Sequence, residues 1–203
     1  MKKTLITLAL VAGLFTAQAQ VQQTSFLDKV KLEAGWGLNV PTGPTDGISA
    51  SDYSGVASFY VGANYELDEL WGVRGTYAYN KFENKNNSNF GSTHHKLMAE
   101  ATYNILRSIQ DKGQQPFELF GHAGLGLTIG ESELVSDTDM MGTFQVGLLP
   151  TYHVSDRVSI ILDAAYVVNF SQDYGYHGGP AKTNGKSATG SYFIANIGLA
   201  FQL

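Results

Sequence analysis

The chain of 203 residues contains no cysteine. That excludes a disulfide scaffold, a thiol nucleophile and any thiolate-held zinc or iron–sulfur site. Charge is scarce: Asp, Glu, Lys and Arg make up 15% of the sequence, against roughly 25% in an ordinary soluble domain. A basic excess is missing as well. The net charge is −5, which speaks against a nucleic-acid partner bound through phosphate neutralisation. Beyond Thr16 no apolar run is long enough for a spanning helix, which needs about 20 residues. There is no Walker loop, no HExxH and no GxSxG, and the glycine run that imitates a dinucleotide fingerprint lies inside a strand-like segment.

What is abundant is glycine, 23 residues, and aromatics, 12%, nearly all Tyr and Phe. Met1-Lys2-Lys3 followed by the apolar stretch Thr4–Thr16 and the small residues of Ala17-Gln18-Ala19 has the layout of a secretory signal peptide. The expected division is a signal peptide over residues 1–19 and a single domain over 20–203.

From Val30 onward apolar residues alternate with small or polar ones in eight segments of about ten residues each, the period of a β-strand. In the first, Val30, Leu32, Ala34, Trp36, Leu38 and Val40 oppose Lys31, Glu33, Gly35, Gly37 and Asn39. In the seventh, Val158, Ile160, Leu162, Ala164, Tyr166, Val168 and Phe170 oppose a face that holds Asp163. In every segment the charges fall on the non-apolar face. A soluble sandwich buries the apolar face, whereas a membrane barrel turns it to lipid.

Three features favour the membrane barrel. The polar face is rich in Gly, Ala, Ser, Thr and Asn, which suit a narrow lumen better than a wet surface. Aromatics such as Trp36, Trp71, Tyr79, Tyr103, Phe117, Tyr152, Phe170 and Phe193 gather toward segment ends, where interfacial girdles sit. The connections alternate in length: Asp68–Leu70 and Ser155–Arg157 are tight, whereas Pro41–Gly55, Lys81–His94, Gly130–Gly142 and Ser171–Gly190 are long. Two places fit less well. Leu106–Pro116 should be a tight turn and is not, and Leu106–Lys112 carries the one helical period after the leader. Pro150, which lacks an N–H, should interrupt a ladder and call for a bulge.

The last residues, Asn196-Ile197-Gly198-Leu199-Ala200-Phe201-Gln202-Leu203, read polar, any, Gly, any, any, aromatic, any, terminal apolar. Together with the glycine-rich Phe120–Gly126 segment they resemble the small eight-stranded outer-membrane barrels of the OmpA/OmpX type, over about Val30–Leu203. The family most often ends in Phe, where this chain has Leu203. The resemblance implies an eight-stranded antiparallel transmembrane up-and-down β-barrel in a Gram-negative outer membrane. It implies outer-membrane lipids and lipopolysaccharide as surroundings. It makes Asn196, Gly198, Phe201 and Leu203 the signal read by the barrel-assembly machinery. The peptidoglycan-binding domain of longer relatives is expected to be missing.

Lumen-side charges are the candidate functional residues: Lys31, Arg74 and Lys96 against Glu33, Glu66, Glu100, Glu118 and Asp163. An eight-stranded lumen is just filled by its own side chains, and a lone buried charge is costly. Arg74, Glu100, Glu33, Asp163, His122 and Lys96 are therefore expected to form an ion-pair plug. A gated ion path is the competing reading. Ser92-Thr93-His94-His95 offers Ser and His near an outer rim, as a lipid-A-modifying enzyme would need, but no acid can be placed beside them. The loop Gly130–Asp139 holds four carboxylates whose spacing does not match an EF-hand. No catalytic, metal or cofactor residue is assigned. The expected role is structural or surface-interactive, through the long loops. The alternatives are a small porin-like channel, a lipid-A enzyme and a soluble β-sandwich or lipocalin-like carrier.

Overall fold

The computed structural model describes residues 26–45, 47–110, 115–181 and 186–203. The segment read as a signal peptide, residues 1–19, lies outside them. The strands are β1 (Val30–Gly43), β2 (Gly55–Glu66), β3 (Trp71–Asn84), β4 (Asn87–Asn104), β5 (Phe117–Ser132), β6 (Thr138–His153), β7 (Val158–Gln172) and β8 (Ala188–Gln202), with a short helix α1 (Ile105–Gln110) after β4. Each strand pairs antiparallel with its sequence neighbour, and β8 returns to β1, so the sheet closes as an eight-stranded barrel. Closure leaves no unpaired edge to template aggregation.

Alternation sorts the side chains as period two demands. Trp36, Leu97, Leu125, Ile197 and Leu199 stand outward and exposed, each more than half accessible. The interior is the reverse: among the described residues, buried polar and charged side chains outnumber buried apolar ones. A water-soluble sheet protein with this distribution would expose its oil and bury its charge, an arrangement made stable by a hydrocarbon surrounding. At the tight-turn end the exterior carries stacked or tilted ring pairs, Phe26 with Tyr65 (4.9 Å) and Trp71 with Tyr103 (4.7 Å). Toward the loop end Tyr77 and Tyr79 flank His95, with Tyr77 Oη 2.8 Å from His95 Nδ1. The amphipathic ring systems thus border an apolar belt.

Two expectations about connections are corrected. Lys81–His94 and Gly130–Gly142 are not loops over most of their length. β3 and β4 run on to Asn84 and from Asn87, and β5 and β6 to Ser132 and from Thr138. The hairpins rise above the belt, where the outward face meets water instead of lipid while inward residues such as Phe82, His94 and Met141 stay buried, so outward positions no longer have to be apolar although the ladder continues. Pro150 needs no bulge. Leu148 pairs with Ala164 and Thr151 with Ile161, so the β6–β7 register is unchanged across a two-residue gap. Its β5 partner is Leu119.

The connection after β4 is long because it is helical. Asn104 Oδ1 accepts the Arg107 N–H at 3.0 Å, which caps α1, and Ile105 Cδ1 packs 3.3 Å from where a Cβ on Gly121 would stand. The turn between β2 and β3 is fixed by Asp68, whose carboxylate accepts the Leu70 and Trp71 N–H groups at 2.8 Å each. Those two bonds hold its carboxyl below the usual range.

The seam between β1 and β8 pairs Gly35 with Gly198. A Cβ on Gly198 would lie 2.9 Å from the Gly35 Cα and closer still to the Ala34 carbonyl oxygen. Close strand approach at the closing seam therefore depends on that glycine. Asn196 of the expected assembly signal faces the lumen opposite Asp163, Phe201 lies beside Leu32, and the Leu203 N–H donates to the Val30 carbonyl at 3.1 Å.

Candidate functional site: a filled lumen with a lid and a vestibule

Arg74, wholly buried, crosses the barrel interior and meets carboxylates from three separate strands. Its Nε lies 2.9 Å from Glu33 Oε2 on β1, Nη1 3.3 Å from Glu100 Oε2 on β4, and Nη2 2.8 Å from Asp163 Oδ2 on β7. The planar guanidinium has donors on three sides, and each finds a charged acceptor. Glu100 stands directly opposite Arg74 in the β3–β4 ladder. The Tyr60 ring lies under the guanidinium, 5.2 Å from its carbon.

His122 closes the layer on the far side, with Nδ1 2.7 Å from Glu100 Oε1 and Nε2 3.4 Å from Asp163 Oδ1. Lys96 joins indirectly. Its ammonium donates to Gln145 Oε1, and Gln145 Nε2 donates to Glu100 Oε1 at 3.0 Å. All six residues named from the sequence thus meet in one layer. Gln145 and Tyr60 were not foreseen, because a neutral amide and a ring on the lumen face carry no signal of their own.

The layer depends on lumen glycines for space. A Cβ on Gly147 would fall well inside van der Waals contact of His122 Nε2 and 2.7 Å from the Ala165 Cβ. Gly147→Ala should push the imidazole off its carboxylates and lower stability by about 1–3 kcal/mol, the usual range for overpacking. Urea unfolding of refolded protein would measure it, and an unchanged midpoint would remove His122 from the structural layer.

A second barrier stands above the first. Phe82 and Tyr192 from the wall and Tyr176 from the β7–β8 loop bury their rings together, with centroids 4.5 Å (Phe82–Tyr176) and 5.1 Å (Phe82–Tyr192) apart. His94 joins edge-on at 5.1 Å from Phe82. Tyr53 of the β1–β2 connection completes the apolar cluster. Tyr176 Oη donates to the Ser191 carbonyl at 2.8 Å, and burial pushes its hydroxyl well above the ordinary tyrosine range.

The folded lid therefore holds a proton that the unfolded chain releases above about pH 10. Stability from Tyr176 is complete below that pH and falls as pH rises through it. Tyr176→Phe should flatten this alkaline loss. Unfolding midpoints between pH 8 and 11 would show it, and parallel curves for the two proteins would refute the assignment.

The Ser92-Thr93-His94-His95 group is split by strand alternation. His94 points into the lid and His95 to the exterior, and among the described residues no carboxylate is in contact with either. The carboxylates of Gly130–Asp139 do not converge. Glu133 lies 4.0 Å from Lys81, Asp137 accepts its neighbour's N–H, and Asp139 Oδ2 accepts the Asp173 N–H at 2.5 Å, anchoring the β7–β8 loop. No metal-holding cluster occurs among the described residues.

The opposite end is open. A cavity of about 460 Å³ enters from the tight-turn side and is lined by Lys31, Glu66, Asn104, Glu118, His153 and Ser159, among others. Lys31 pairs with Glu66, and Arg107 Nη2 with Glu69 at 3.0 Å. His153 Nε2 lies 2.8 Å from Glu118 Oε2, His153 Nδ1 2.8 Å from Ser159 Oγ, and Asn104 Nδ2 donates to Glu118 Oε1 at 2.9 Å. The sequence reading missed this chain. The tight turn in His153-Val154-Ser155-Asp156-Arg157-Val158-Ser159 was the available signal, since a hairpin register sets His153 opposite Ser159.

An apolar belt bounded by rings, a charge-filled interior and a single closed antiparallel sheet define a transmembrane β-barrel of the small, plugged kind. The comparison with solved structures agrees on the fold. Neisserial surface protein A superposes with a TM-score of 0.54 at 17% identity, over 86% of this chain and 97% of that one. The N-terminal barrel domain of OprF from Pseudomonas aeruginosa gives 0.47 at 11% identity, over 85% and 96%. Ail, the attachment invasion locus protein of Yersinia pestis, gives 0.44 at 15%, over 85% and 97%. No protein-family model and no curated protein matches the sequence.

Proposed function

We propose that this is an integral outer-membrane protein of a Gram-negative bacterium, acting through its loop-bearing end in surface interaction or membrane integrity rather than by passing solutes through its lumen. The observation that carries the reading is the doubly blocked interior: the Arg74 layer and, above it, the Phe82–Tyr176–Tyr192 lid. Lipid and lipopolysaccharide are the surroundings this exterior suits. The last strand, with Asn196, Gly198, Phe201 and Leu203, is the element offered to the assembly machinery.

The test has two parts. An outer-membrane fraction should contain a band whose SDS-gel mobility shifts on heating, and purified protein in planar bilayers should show no unitary conductance. Steady openings would turn the assignment to a small porin-like channel. A soluble band without detergent would end the membrane assignment altogether.

A further inference from the structure

We propose that Ser159, His153 and Glu118 form an acyl-transfer centre opening on the tight-turn vestibule, with small esters as its substrate class. The inference is independent of what the loops at the other end bind. A serine hydroxyl becomes nucleophilic when a base accepts its proton and a third group holds that base in the right tautomer. All three roles are filled here. The Glu118 carboxylate can only accept, so the 2.8 Å bond at His153 Nε2 places the ring proton there. Nδ1 is then the acceptor, and Ser159 Oγ, also 2.8 Å away, donates to it.

The order of the ring nitrogens is reversed relative to the usual serine-hydrolase arrangement, but either nitrogen has the same basicity for the task. Asn104 holds the second carboxylate oxygen at 2.9 Å and is itself fixed as the cap of α1. Ser159 and His153 are a cross-strand pair on one hairpin, so their spacing is set by a rigid ladder rather than by a loop.

The surroundings suit a ligand. The cavity of about 460 Å³ lies within the roughly 300–1,000 Å³ of small-molecule sites. Arg157, exposed in the turn just before β7, also lines it. Among the described residues Arg157 makes no ion pair, unlike Lys31 and Arg107. As a cation on the cavity wall it suits an anionic substituent of the ester.

The reaction balances within these groups. Ser159 Oγ bonds to the ester carbonyl carbon as its proton passes to His153 Nδ1. The carbon–oxygen bond to the leaving alkoxide breaks, and the alkoxide takes that proton away as alcohol. Water then attacks acyl-Ser159, gives a proton to Nδ1, and the regenerated Oγ recovers it. The sum is ester plus water giving acid plus alcohol.

The experiment uses the refolded full chain in detergent micelles, with folding verified by heat-modifiable mobility. A fluorophosphonate probe is added and the labelled residue located by peptide mass spectrometry, while p-nitrophenyl acetate reports turnover. Ser159 of the folded wild-type protein should be labelled, and no label should enter Ser159→Ala. His153→Gln should slow both labelling and ester hydrolysis about 100-fold or more, the usual scale for loss of a general base. Glu118→Gln should slow them less. A folded wild-type protein whose Ser159 stays unlabelled overturns the proposal, because that result needs no variant to fold. Labelling that proceeds unchanged in folded His153→Gln overturns it equally, since a serine in a merely structural hydrogen bond would behave that way.

Discussion

Arg74→Ala should destabilise the barrel by about 3–5 kcal/mol, the scale for removing one partner of a buried ion group. The reason is the company left behind. Glu33, Glu100 and Asp163 all point at one guanidinium, and none of them is more than marginally accessible. Without it three carboxylates share a narrow lumen with Lys96 beyond an intervening amide and His122 at one side. Replacing Glu100 by Gln in the same chain removes one of the stranded charges, so the double variant should be more stable than Arg74→Ala alone. Urea unfolding of the wild type, the two single variants and the double variant gives the coupling energy. A coupling near zero would mean that Arg74 and Glu100 do not act as a pair. The same variant should also loosen the lower of the two barriers, so bilayer recordings on it are a stricter test of the blocked lumen than recordings on the wild type.

A charge on the exterior should be nearly as damaging. Leu125 lies outward in the apolar belt, about two-thirds accessible, where a soluble protein would accept a charged residue without effect. In a bilayer Leu125→Arg should cost about 2–4 kcal/mol, the range for a basic residue near the midplane of a barrel. Glu131→Lys, on the same strand but above the belt, should change stability by no more than about 0.5 kcal/mol, as surface substitutions do. Unfolding from lipid vesicles would compare them. Equal small effects at the two positions would show that the apolar face does not contact hydrocarbon.

The belt was legible because lipid imposes one rule on every exterior position. Trp36, Leu97, Leu125, Leu162 and Ile197 each had to be apolar, and their opposite-face neighbours each had to be small or paired. Where the rule lapses, so did the reading. Above the belt Lys81–Asn84 and Asn87–His94 continue a strand pair, yet the outward face meets water rather than lipid and the alternation that betrays a strand is gone. Pro150 looked like a fault in the ladder. With its register kept on both sides, it is tolerated where its missing N–H loses only a local bond. The helix after Asn104 was faint because its six residues bury none of their side chains fully, so packing left little pattern.

For the lumen, the charged members were readable and their neutral neighbours were not. An Arg or Asp on the inward face must find a partner, and that necessity names Arg74, Glu33, Glu100 and Asp163 in advance. Gln145, Tyr60 and Ser159 are under no such compulsion, and what each meets depends on which neighbours the closed barrel sets beside it. The lid is further from the sequence still: Tyr176 lies in a connection without periodicity, and it fills the mouth because the β7–β8 loop folds back over Phe82 and Tyr192.

By itself, then, the sequence determined the strand count, which side of each strand faces lipid, and that the inward charges must be compensated. These follow from period two and from the cost of charge in a low-dielectric medium, both of which act residue by residue. Only the tertiary structure decided which carboxylates share Arg74, that an amide stands between Lys96 and Glu100, and that a loop tyrosine seals the mouth. Closing a tilted sheet brings together strands far apart in the chain, such as β1, β4 and β7, and the register of that closure is a property of the whole barrel rather than of any segment.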